Sequence, residues 1–358
     1  MAVCAAVAVR SAGWLSWLAL PLALLAWLYP RWFCRHACPT GCLQEALERL
    51  RPSAAARPSR FPQIGGWLVL LTFGGALLGY PLCLWLDPLA IFSGGVNAWR
   101  SPLSVTSWVG GLALPLLLLA SWVWPRLWCR RICPLGATQD GLWELRHWAC
   151  HRAFHGGGTG ESLPPARGRR SFLAACAGAV SAFVIGKVQG RESPLLRPPG
   201  ALDESRFSGV CIRCGNCARA CPSHIIQPDL GSSGLAGLLT PRLSFAAGYC
   251  REDCRRCHEA CPSGAIPRLS LAAKRRRIIG PAVVDPAICL LANGRECVAC
   301  VKECPYQAIA MQSSDGGFSN QPRVDLARCT GCGACEAVCP VRPRRAIVIL
   351  PKPGILRG

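Results

Sequence analysis

Histidine is scarce in this 358-residue chain: there are six, and none lies inside a long apolar run. A b-type haem buried among helices needs histidine side chains as axial ligands to its iron. The sequence therefore argues against a haem held between two histidines inside those runs.

Acidic residues are also few. The chain has 19 Asp and Glu against 40 Lys and Arg, which gives a formal net charge of +21. The excess is about +12 in residues 1–200 and about +9 in residues 201–358. A basic excess can indicate a nucleic-acid partner, so the rest of the sequence has to account for it.

Cysteine, in contrast, is abundant. Sixteen of the 25 cysteines lie in four runs within residues 200–358, and each run ends in Cys-Pro. The first and fourth runs have the spacing CxxCxxCxxxCP, which is typical of the bacterial ferredoxin motif for a cubane 4Fe-4S cluster. The second and third runs are looser. The four runs are Cys211, Cys214, Cys217 and Cys221; Cys250, Cys254, Cys257 and Cys261; Cys289, Cys297, Cys300 and Cys304; and Cys329, Cys332, Cys335 and Cys339.

Four runs predict four 4Fe-4S clusters. In a two-cluster ferredoxin the fourth cysteine of one run ligates the cluster of the other, so the runs work in pairs. We therefore expect residues 200–358 to form an α+β polyferredoxin domain of two ferredoxin-like units. Spacing alone leaves the pairing open. Nested pairing, first with fourth and second with third, is favoured over sequential pairing.

Other interpretations of these cysteines are possible. A disulfide framework could use many cysteines, but it would not repeat a ferredoxin spacing with trailing prolines. The stretch from Cys254 to His258 reads CxxCH, the attachment motif of c-type haem. Because Cys250 and Cys261-Pro262 complete a cluster motif around it, we interpret it as part of the second run, with His258 exposed.

The clusters also explain much of the charge. An oxidised cubane with four thiolates carries a charge of about −2, so four of them nearly cancel the excess of residues 201–358. The run from Lys274 to Arg277 could be a nucleic-acid patch, but a solvated loop between motifs is favoured. No nucleic-acid partner is expected.

Hydrophobic residues make up 51% of the chain and concentrate in its first 190 positions. An apolar helix of about 20 residues can cross a bilayer. We predict a membrane α-helical fold with about four transmembrane helices, in addition to the polyferredoxin domain. The predicted domains are 1–168 with three transmembrane helices, 169–199 with the fourth and a linker, and 200–358. The predicted helices are Ala12–Tyr29, Ile64–Leu86, Val105–Trp124 and the shorter Phe172–Val188.

Arginines cluster between the first and second predicted transmembrane helices, and again between the third and fourth. This predicts that both connections face the cytoplasm. The stretch Gly168-Arg169-Arg170-Ser171-Phe172-Leu173 is similar to a twin-arginine export signal, although a pair of helix anchors would also explain it. Either interpretation predicts a multi-pass protein of a bacterial inner membrane with its polyferredoxin domain in the periplasm.

A second cysteine motif, CxxxCP, occurs twice in residues 1–168. It comprises Cys34 and Cys38 in the first copy and Cys129 and Cys133 in the second, with Cys42 as an extra thiol. The four thiols could ligate one shared cluster, could cycle between thiols and disulfides, or could serve a structural role in the loops. The reducing cytosol argues against permanent disulfides.

Seven other residues have weaker signals. Three histidines at four-residue intervals would share one helical face and could bind a metal, but an interfacial amphipathic stretch is favoured. Four isolated cysteines are interpreted as small apolar residues. These residues are His147, His151 and His155, and Cys4, Cys83, Cys150 and Cys176.

The whole chain resembles a fusion of two protein families. The CxxxCP half is similar to NapH-type and MauN-type membrane quinol-dehydrogenase proteins. Residues 169–340 are similar to the NapG and MauM family of exported four-cluster ferredoxins, through Arg169-Arg170, the first and fourth runs, and the wide gap from Cys289 to Cys297. In two respects the chain departs from this pattern. NapH-type proteins normally carry their own cytoplasmic ferredoxin pair after the last apolar segment, and here the predicted exported domain takes that place; the second cysteine run also begins CxxxCxxC, where the family more often has CxxC followed by a longer gap.

This resemblance implies a function in electron transfer. Membrane quinol would be the donor and a periplasmic c-type cytochrome or reductase the acceptor, in a system of the nitrate-reductase or methylamine-utilisation type. The chain would then be an electron-transfer subunit of a quinol dehydrogenase, with lipid as its surroundings. Asp87 is a candidate base for quinol oxidation, although an Asp-Pro turn would also explain it. The alternative is a redox maturation partner for a metalloenzyme that oxidises no quinol itself.

Overall fold

The computed structural model describes residues 2–10, 14–50, 61–100, 105–154, 165–189, 195–232, 234–313 and 320–351. The chain divides into two compact units. Unit 1 comprises residues 1–190, 203–215 and 262–265, and unit 2 comprises residues 191–202, 216–261 and 266–358. The boundary falls close to that between the predicted membrane and polyferredoxin parts, but it passes through the first cysteine run.

Unit 1 is helical in its described segments. Short 3-10 and π turns occur at Leu84–Leu86 and Trp128–Ile132. Its helices are α1 Ala2–Val9, α2 Trp14–Leu28, α3 Trp32–His36, α4 Pro39–Arg49, α5 Gly65–Leu77, α6 Pro88–Arg100, α7 Val105–Gly111, α8 Ala113–Val123, α9 Pro134–Phe154, α10 Pro165–Gln189 and α11 Glu204–Val210.

Helices α5 and α10 cross closely because each presents a glycine at the crossing. A Cβ atom on Gly74 would lie 2.1 Å from the carbonyl oxygen of Ala175, and one on Gly178 would lie 2.4 Å from that of Leu71. Both distances are far below a normal van der Waals contact. Glycine at these two positions therefore allows the two backbones to touch.

The prediction of four transmembrane helices is wrong. In the segments that the structure describes, no helix has both the length and the apolar composition needed to cross a bilayer. The first apolar run forms α2, whose 15 residues reach about 22 Å against a hydrocarbon core of about 30 Å. The second run ends as a helix at Leu77, before Gly79 turns the chain with a φ of +86°.

The remaining apolar runs are also divided or carry charge. The third run forms two short helices, α7 and α8, of 7 and 11 residues. The fourth lies in α10, a 25-residue helix that includes Arg167, Arg169 and Arg170 near its start and Lys187 near its end. Several large apolar side chains of unit 1 are exposed, among them Trp17 at 67%, Leu119 at 65% and Phe172 at 70%.

Unit 2 consists of short helices and three two-stranded antiparallel sheets. This agrees with the α+β polyferredoxin part of the predicted fold. The strands are β1 Ile226–Pro228, β2 Pro241–Leu243, β3 Ala282–Val284, β4 Ile309–Ser313, β5 Asn320–Val324 and β6 Ile347–Ile349. The helices are α12 Asn216–Ala220, α13 Gly234–Gly237, α14 Arg256–Ala260, α15 Leu271–Arg275, α16 Ala299–Lys302 and α17 Ala334–Val338, with a 3-10 turn at Leu290–Asn293.

Each sheet connects cysteine runs that are neighbours in sequence. Strands β1 and β2 pair between the first and second runs, with Gln227 opposite Arg242. Strands β4 and β5 pair between the third and fourth. Strands β3 and β6 enclose those two runs, with Val283 opposite Val348. Since β-branched residues favour extended backbone, Val283, Val284 and the Ile347–Ile349 segment form this outer pair readily.

One apolar core runs through unit 2. It contains Ile225 and Phe245 from the first half of the unit together with Ile309 and Ile347 from the second half. Several cysteines of all four runs belong to this core or pack against it. The cysteine motifs are therefore placed around a common apolar interior.

Candidate metal centres

The cysteines of the second run group with one cysteine of the first. Burial raises the pKa of the Cys257 thiol to about 12, and the charges of Cys250, Cys221 and Cys254 raise it further. Burial also raises the pKa of Cys250, with Cys221 again among its neighbours. Cys221, Cys250, Cys254 and Cys257 are therefore close neighbours in unit 2.

The fourth run repeats this arrangement with a cysteine of the third. Burial raises the pKa of Cys335, as do the charges of Cys332, Cys329, Cys304 and Cys300. The pKa of Cys332 rises to about 11, first through burial and then through contributions that include Cys304 and Cys329. Cys304, the last cysteine of the third run, thus lies with the first three of the fourth.

The first three cysteines of the third run also lie together, despite the wide gap in sequence. Burial raises the pKa of Cys300 to about 11, and the charges of Cys297 and Cys289 contribute. The 3-10 turn from Leu290 to Asn293 takes up the additional residues, and Gly294 closes it with a φ of +68°.

The first run is divided between the two units. Cys211 and Cys214 belong to unit 1, and Cys217 and Cys221 belong to unit 2. In unit 1, Asn97 of α6 donates a 2.8 Å hydrogen bond from Nδ2 to the carbonyl oxygen of Cys214. The guanidinium of Arg213 lies 5.4 Å from the ring centre of Trp85, a cation–π contact. These contacts fix the loop that carries Cys211 and Cys214.

The runs pair sequentially, so the nested pairing favoured from the sequence is wrong. Helix α12 of the first run packs against α14 of the second, and α16 of the third packs against α17 of the fourth. The last cysteine of the first member of each pair agrees with this pairing: Cys221 lies with the second run and Cys304 lies with the fourth. In a two-cluster ferredoxin, too, the last cysteine of one run lies with the cysteines of the other.

The two pairs touch at their inner members. The backbone amide of Cys250 donates a 2.8 Å hydrogen bond to the carbonyl oxygen of Cys332. Tyr306 lies at the same place: burial raises the pKa of its hydroxyl, and the charges of Cys332 and Cys250 raise it further. The second and fourth runs are therefore neighbours.

Backbone amides also reach two of the sulfurs. The amide of Ile266 donates to Sγ of Cys261 at 3.4 Å, and the amide of Ala308 donates to Sγ of Cys304 at 3.3 Å. Both are the last cysteine of a run. Hydrogen bonds of this kind are one of the means by which a protein sets the potential of an iron–sulfur cluster.

Lys274 is a site residue that the sequence interpretation missed. The expected solvated loop is instead the short helix α15, which Ser270 caps by accepting a 3.2 Å hydrogen bond from the amide of Ala273. Lys274 is only 4% exposed and donates to the carbonyl oxygen of Arg251. Its charge and a hydrogen bond lower the pKa of Cys250. The neighbouring charges of the Lys274-to-Arg277 run concealed this one buried lysine.

His258 is buried, so the prediction of an exposed residue was wrong. It is 1% exposed, and its Nδ1 donates a 2.6 Å hydrogen bond to the carbonyl oxygen of Pro267. Burial lowers the pKa of the imidazole. The CxxCH stretch thus holds a histidine that packs inside unit 2.

The two CxxxCP motifs meet in unit 1. Burial raises the pKa of Cys129 to about 12, and the charges of Cys34 and Cys38 raise it further. Burial raises the pKa of Cys133 too, with contributions from Cys34 and Cys129. The four thiols of the doubled motif are therefore neighbours. Cys42, the extra thiol, is exposed.

Asp87 lies at the start of α6 and is 9% exposed. Its Oδ1 accepts a 2.9 Å hydrogen bond from the amide of Leu89, as in an Asx turn that begins a helix. Burial raises the pKa of its carboxyl. The proposed role in quinol oxidation stays a prediction.

Of the three histidines predicted to share a helical face, His147 lies on α9, where its ring contacts Trp143 edge-on with 4.5 Å between centroids. His151 lies on the same helix, and His155 lies outside the described residues. Within the described segments, no cluster of three or more His, Cys, Asp or Glu residues is arranged to hold a single metal ion. The thiol groups around Cys257 and Cys335 have instead at least the four sulfur donors that a cubane requires.

Comparisons with known proteins agree with this interpretation. A family described as 4Fe-4S dicluster domain matches residues 210–265 and 295–342, one match for each sequential pair of runs. The chain is 38% identical over 179 residues to the methylamine utilization ferredoxin-type protein MauM of Methylophilus methylotrophus, covering 47% of this chain and 76% of that protein. It is 36% identical over 207 residues to the ferredoxin-type protein NapG of Escherichia coli K12, covering 53% and 88%.

The chain belongs to the MauM and NapG family of ferredoxin-type proteins. It is also 35% identical over 147 residues to the ferredoxin-type protein NapF of Escherichia coli K12, covering 41% of this chain and 80% of NapF. A second family, described as 4Fe-4S binding domain, matches residues 12–57 and 106–151, which contain the two CxxxCP motifs. The MauM and NapG likeness concerns about half of the chain, so the expected NapH and MauN part stays a prediction. No solved structure matches the chain.

Proposed function

We propose that this MauM and NapG family member is an electron-transfer protein whose residues 200–358 carry four 4Fe-4S clusters. The observation that carries the proposal is the position of Cys221 with Cys250, Cys254 and Cys257. A cysteine that leaves its own run to join the next is what cluster exchange in a ferredoxin pair requires. The ligands are the sixteen cysteines of the four runs. Within each pair of runs, the last cysteine of one run ligates the cluster of the other.

Bound clusters would supply one-electron oxidation and reduction. The residues of unit 2 provide thiolate ligands, keep them buried or partly buried, and donate hydrogen bonds from Ile266 and Ala308 to two sulfurs. The contact between Cys250 and Cys332 brings the two pairs together within unit 2. A continuous series of sites is more useful for electron transfer than for a single catalytic reaction.

The test is iron analysis of the anaerobically purified full chain. Replacement of Cys221 by alanine removes a ligand of the second-run site, so the variant should contain about four fewer irons than the parent chain. Cys150→Ala, which removes an exposed cysteine of α9, is the matched control and should lose none. Unchanged iron in Cys221→Ala, with unchanged EPR signals, would overturn the assignment.

We further propose that a quinol is the electron donor, consistent with a NapH-like and MauN-like first half, and that residues 200–358 act in the periplasm on a c-type cytochrome or reductase. Two contacts support a quinol donor: that of Asn97 with Cys214 and that of Arg213 with Trp85. Through Asn97, helix α6, which starts beside Asp87, holds the loop of the first cysteine run. The twin-arginine-like stretch at Arg169 and Arg170 supports the proposed location of residues 200–358 in the periplasm.

A short-chain quinol and dithionite distinguish the donor. If quinol is the donor, it alone should reduce the EPR-visible clusters of the purified protein, and Asp87→Asn should slow that reduction while dithionite still reduces the variant fully. If dithionite reduces the parent chain and quinol does not, the quinol role is refuted and a maturation partner is the better interpretation.

A further inference from the structure

One cavity of unit 2 is lined by the cysteines of the fourth run together with a threonine. Its thiols are those of Cys329, Cys332 and Cys335, joined by Cys304 from the third run. Thr330, which follows Cys329 in the sequence, lines the same cavity. A hydroxyl-bearing side chain therefore lies at the fourth-run site, among the thiols.

The hydroxyl of Thr330 is buried and unpaired. Its Oγ1 is shielded from solvent and has no hydrogen-bond partner in the segments that the structure describes. Thr240, also in unit 2, shows the usual situation: its buried hydroxyl donates to the carbonyl oxygen of Gly237 and accepts a 2.8 Å hydrogen bond from Nη1 of Arg197. Leaving a buried hydroxyl unpaired is costly, and an acceptor inside the cavity would satisfy that of Thr330.

The backbone that carries Thr330 is held on both sides. The carbonyl oxygen of Thr330 accepts a 2.8 Å hydrogen bond from the amide of Ile279. The next residue, Gly331, has a φ of +71°, and a Cβ there would lie 2.0 Å from the carbonyl oxygen of Gly280. A movement of this loop toward another partner would break the bond with Ile279 or disturb the contact with Gly280. The fold therefore fixes the position of the threonine.

A hydroxyl at this position can donate to sulfur. Threonine has one O–H donor, and a sulfur without a proton can only accept. The amide of Ala308 already donates to Sγ of Cys304 at 3.3 Å in the same site. The first run has the same cysteine spacing but has Ile212 in the place of Thr330, and an isoleucine side chain has no donor. This hydroxyl therefore distinguishes the fourth-run site from the first-run site.

We propose that the hydroxyl of Thr330 donates a hydrogen bond to a sulfur of the fourth-run 4Fe-4S cluster and thereby raises the reduction potential of that cluster. The inference rests on the proposed function, because it requires a cluster at this run. Hydrogen bonds to the sulfurs are one of the means by which a protein sets the potential, and the reduced, more negative cluster gains more from a donor. Thr330 thus acts on the cluster without being a ligand.

Redox titration of the anaerobic full chain, followed by EPR, tests the hydroxyl. Cys329→Ala should lose iron and one EPR component, which identifies the signal of the fourth-run cluster. Thr330→Val keeps the shape of the side chain and removes the donor, so it should retain iron and lower the midpoint potential of that signal alone. Thr330→Ser keeps the donor and should stay close to the parent chain. Thr240→Val, which removes a paired hydroxyl outside the cavity, should leave that potential unchanged.

Deuterium exchange detects the bond itself. In D2O, ENDOR spectra of the reduced fourth-run cluster should contain a deuteron coupling that is lost in Thr330→Val and retained in Thr330→Ser. Thr330→Ala provides the same comparison if the valine variant does not retain its iron. Unchanged potential and unchanged deuteron couplings in a variant that retains iron but lacks the hydroxyl would overturn the hydrogen bond and leave the cluster in place. Unchanged iron and signals in Cys329→Ala would instead refute the fourth-run cluster, and with it the proposed function.

Discussion

The backbone amide of Cys250 donates a 2.8 Å hydrogen bond to the carbonyl oxygen of Cys332. This contact makes the second and fourth runs the inner members of the series in unit 2, because Cys250 belongs to the first pair of runs and Cys332 to the second. The order of sites along the protein then differs from their order in sequence. The third run is an outer member, although it precedes the fourth in the chain.

This order predicts which clusters interact magnetically. With the first and third sites removed by Cys211→Ala and Cys289→Ala, the second and fourth should remain and should show spin coupling in the EPR spectrum of the reduced protein. With the second and third removed by Cys254→Ala and Cys289→Ala, the first and fourth should give uncoupled signals. Coupling in the second variant but not in the first would contradict the order.

Lys274 is expected to raise the reduction potential of the second-run cluster. A buried cation beside Cys250 favours the reduced, more negative state. Lys274→Met should therefore lower one midpoint potential in an EPR-monitored redox titration. Arg275→Met removes the same charge from an exposed position on the same helix and should leave that potential almost unchanged. Equal shifts in both variants would mean that burial of Lys274 is unimportant.

Glycine at position 136 is expected to be essential to the fold of unit 1. A Cβ there would lie 2.8 Å from the carbonyl oxygen of Cys129, so Gly136→Ala should destabilise the protein by about 1–3 kcal/mol. Gly141 lies on the same helix with open space around it, and Gly141→Ala should stabilise by about 0.5–1 kcal/mol. Thermal unfolding of each variant gives its change in stability relative to the parent chain, and the two changes should have opposite signs.

Asp87 should make stability depend on pH. Burial raises the pKa of its carboxyl above the ordinary value of 3.8, so the folded protein favours the protonated form. Ionisation then reduces the free energy of unfolding as pH rises, and this cost disappears below the ordinary pKa. Asp87→Asn keeps an acceptor for Leu89 and cannot ionise, so its stability relative to the parent chain should increase with pH.

The matched control for Asp87 is Asp325. Its Oδ1 also accepts a 2.9 Å hydrogen bond from the amide two residues later, but Asp325 is exposed. Urea unfolding of Asp325→Asn between pH 5 and pH 8 measures the effect of the same replacement at an exposed site. If Asp87→Asn behaved in the same way, the burial of the Asp87 carboxyl would have no energetic effect.

The ferredoxin part was predictable because its ligands are adjacent in sequence. Spacing predicted the four runs and the α+β units, whereas the pairing depends on contacts such as that of α12 with α14, which spacing does not encode. Lys274 was missed because a run of four basic residues hides which one is buried.

The prediction of four transmembrane helices was wrong for a different reason. A hydropathy window averages over residues and does not detect where a helix ends. The run from Ile64 to Leu86 is apolar throughout, yet α5 ends at Leu77 and Gly79 adopts a left-handed conformation. Between α7 and α8 the interruption at Leu112 is equally invisible to composition. Turn residues, rather than average hydropathy, decided the outcome.

The meeting of the two CxxxCP motifs in unit 1 also constrains how the repeat can change in sequence. Arg31, which precedes the first CxxxCP motif, pairs with Asp140, which follows the second, and Arg126, which precedes the second motif, pairs with Glu48, which follows the first. A charged residue lost around one motif therefore leaves a residue of opposite charge unpaired beside the other motif, so the two parts of the sequence cannot change independently. Across related chains, we expect substitutions at these four positions to occur in coordinated pairs, so that the repeat evolves as one unit.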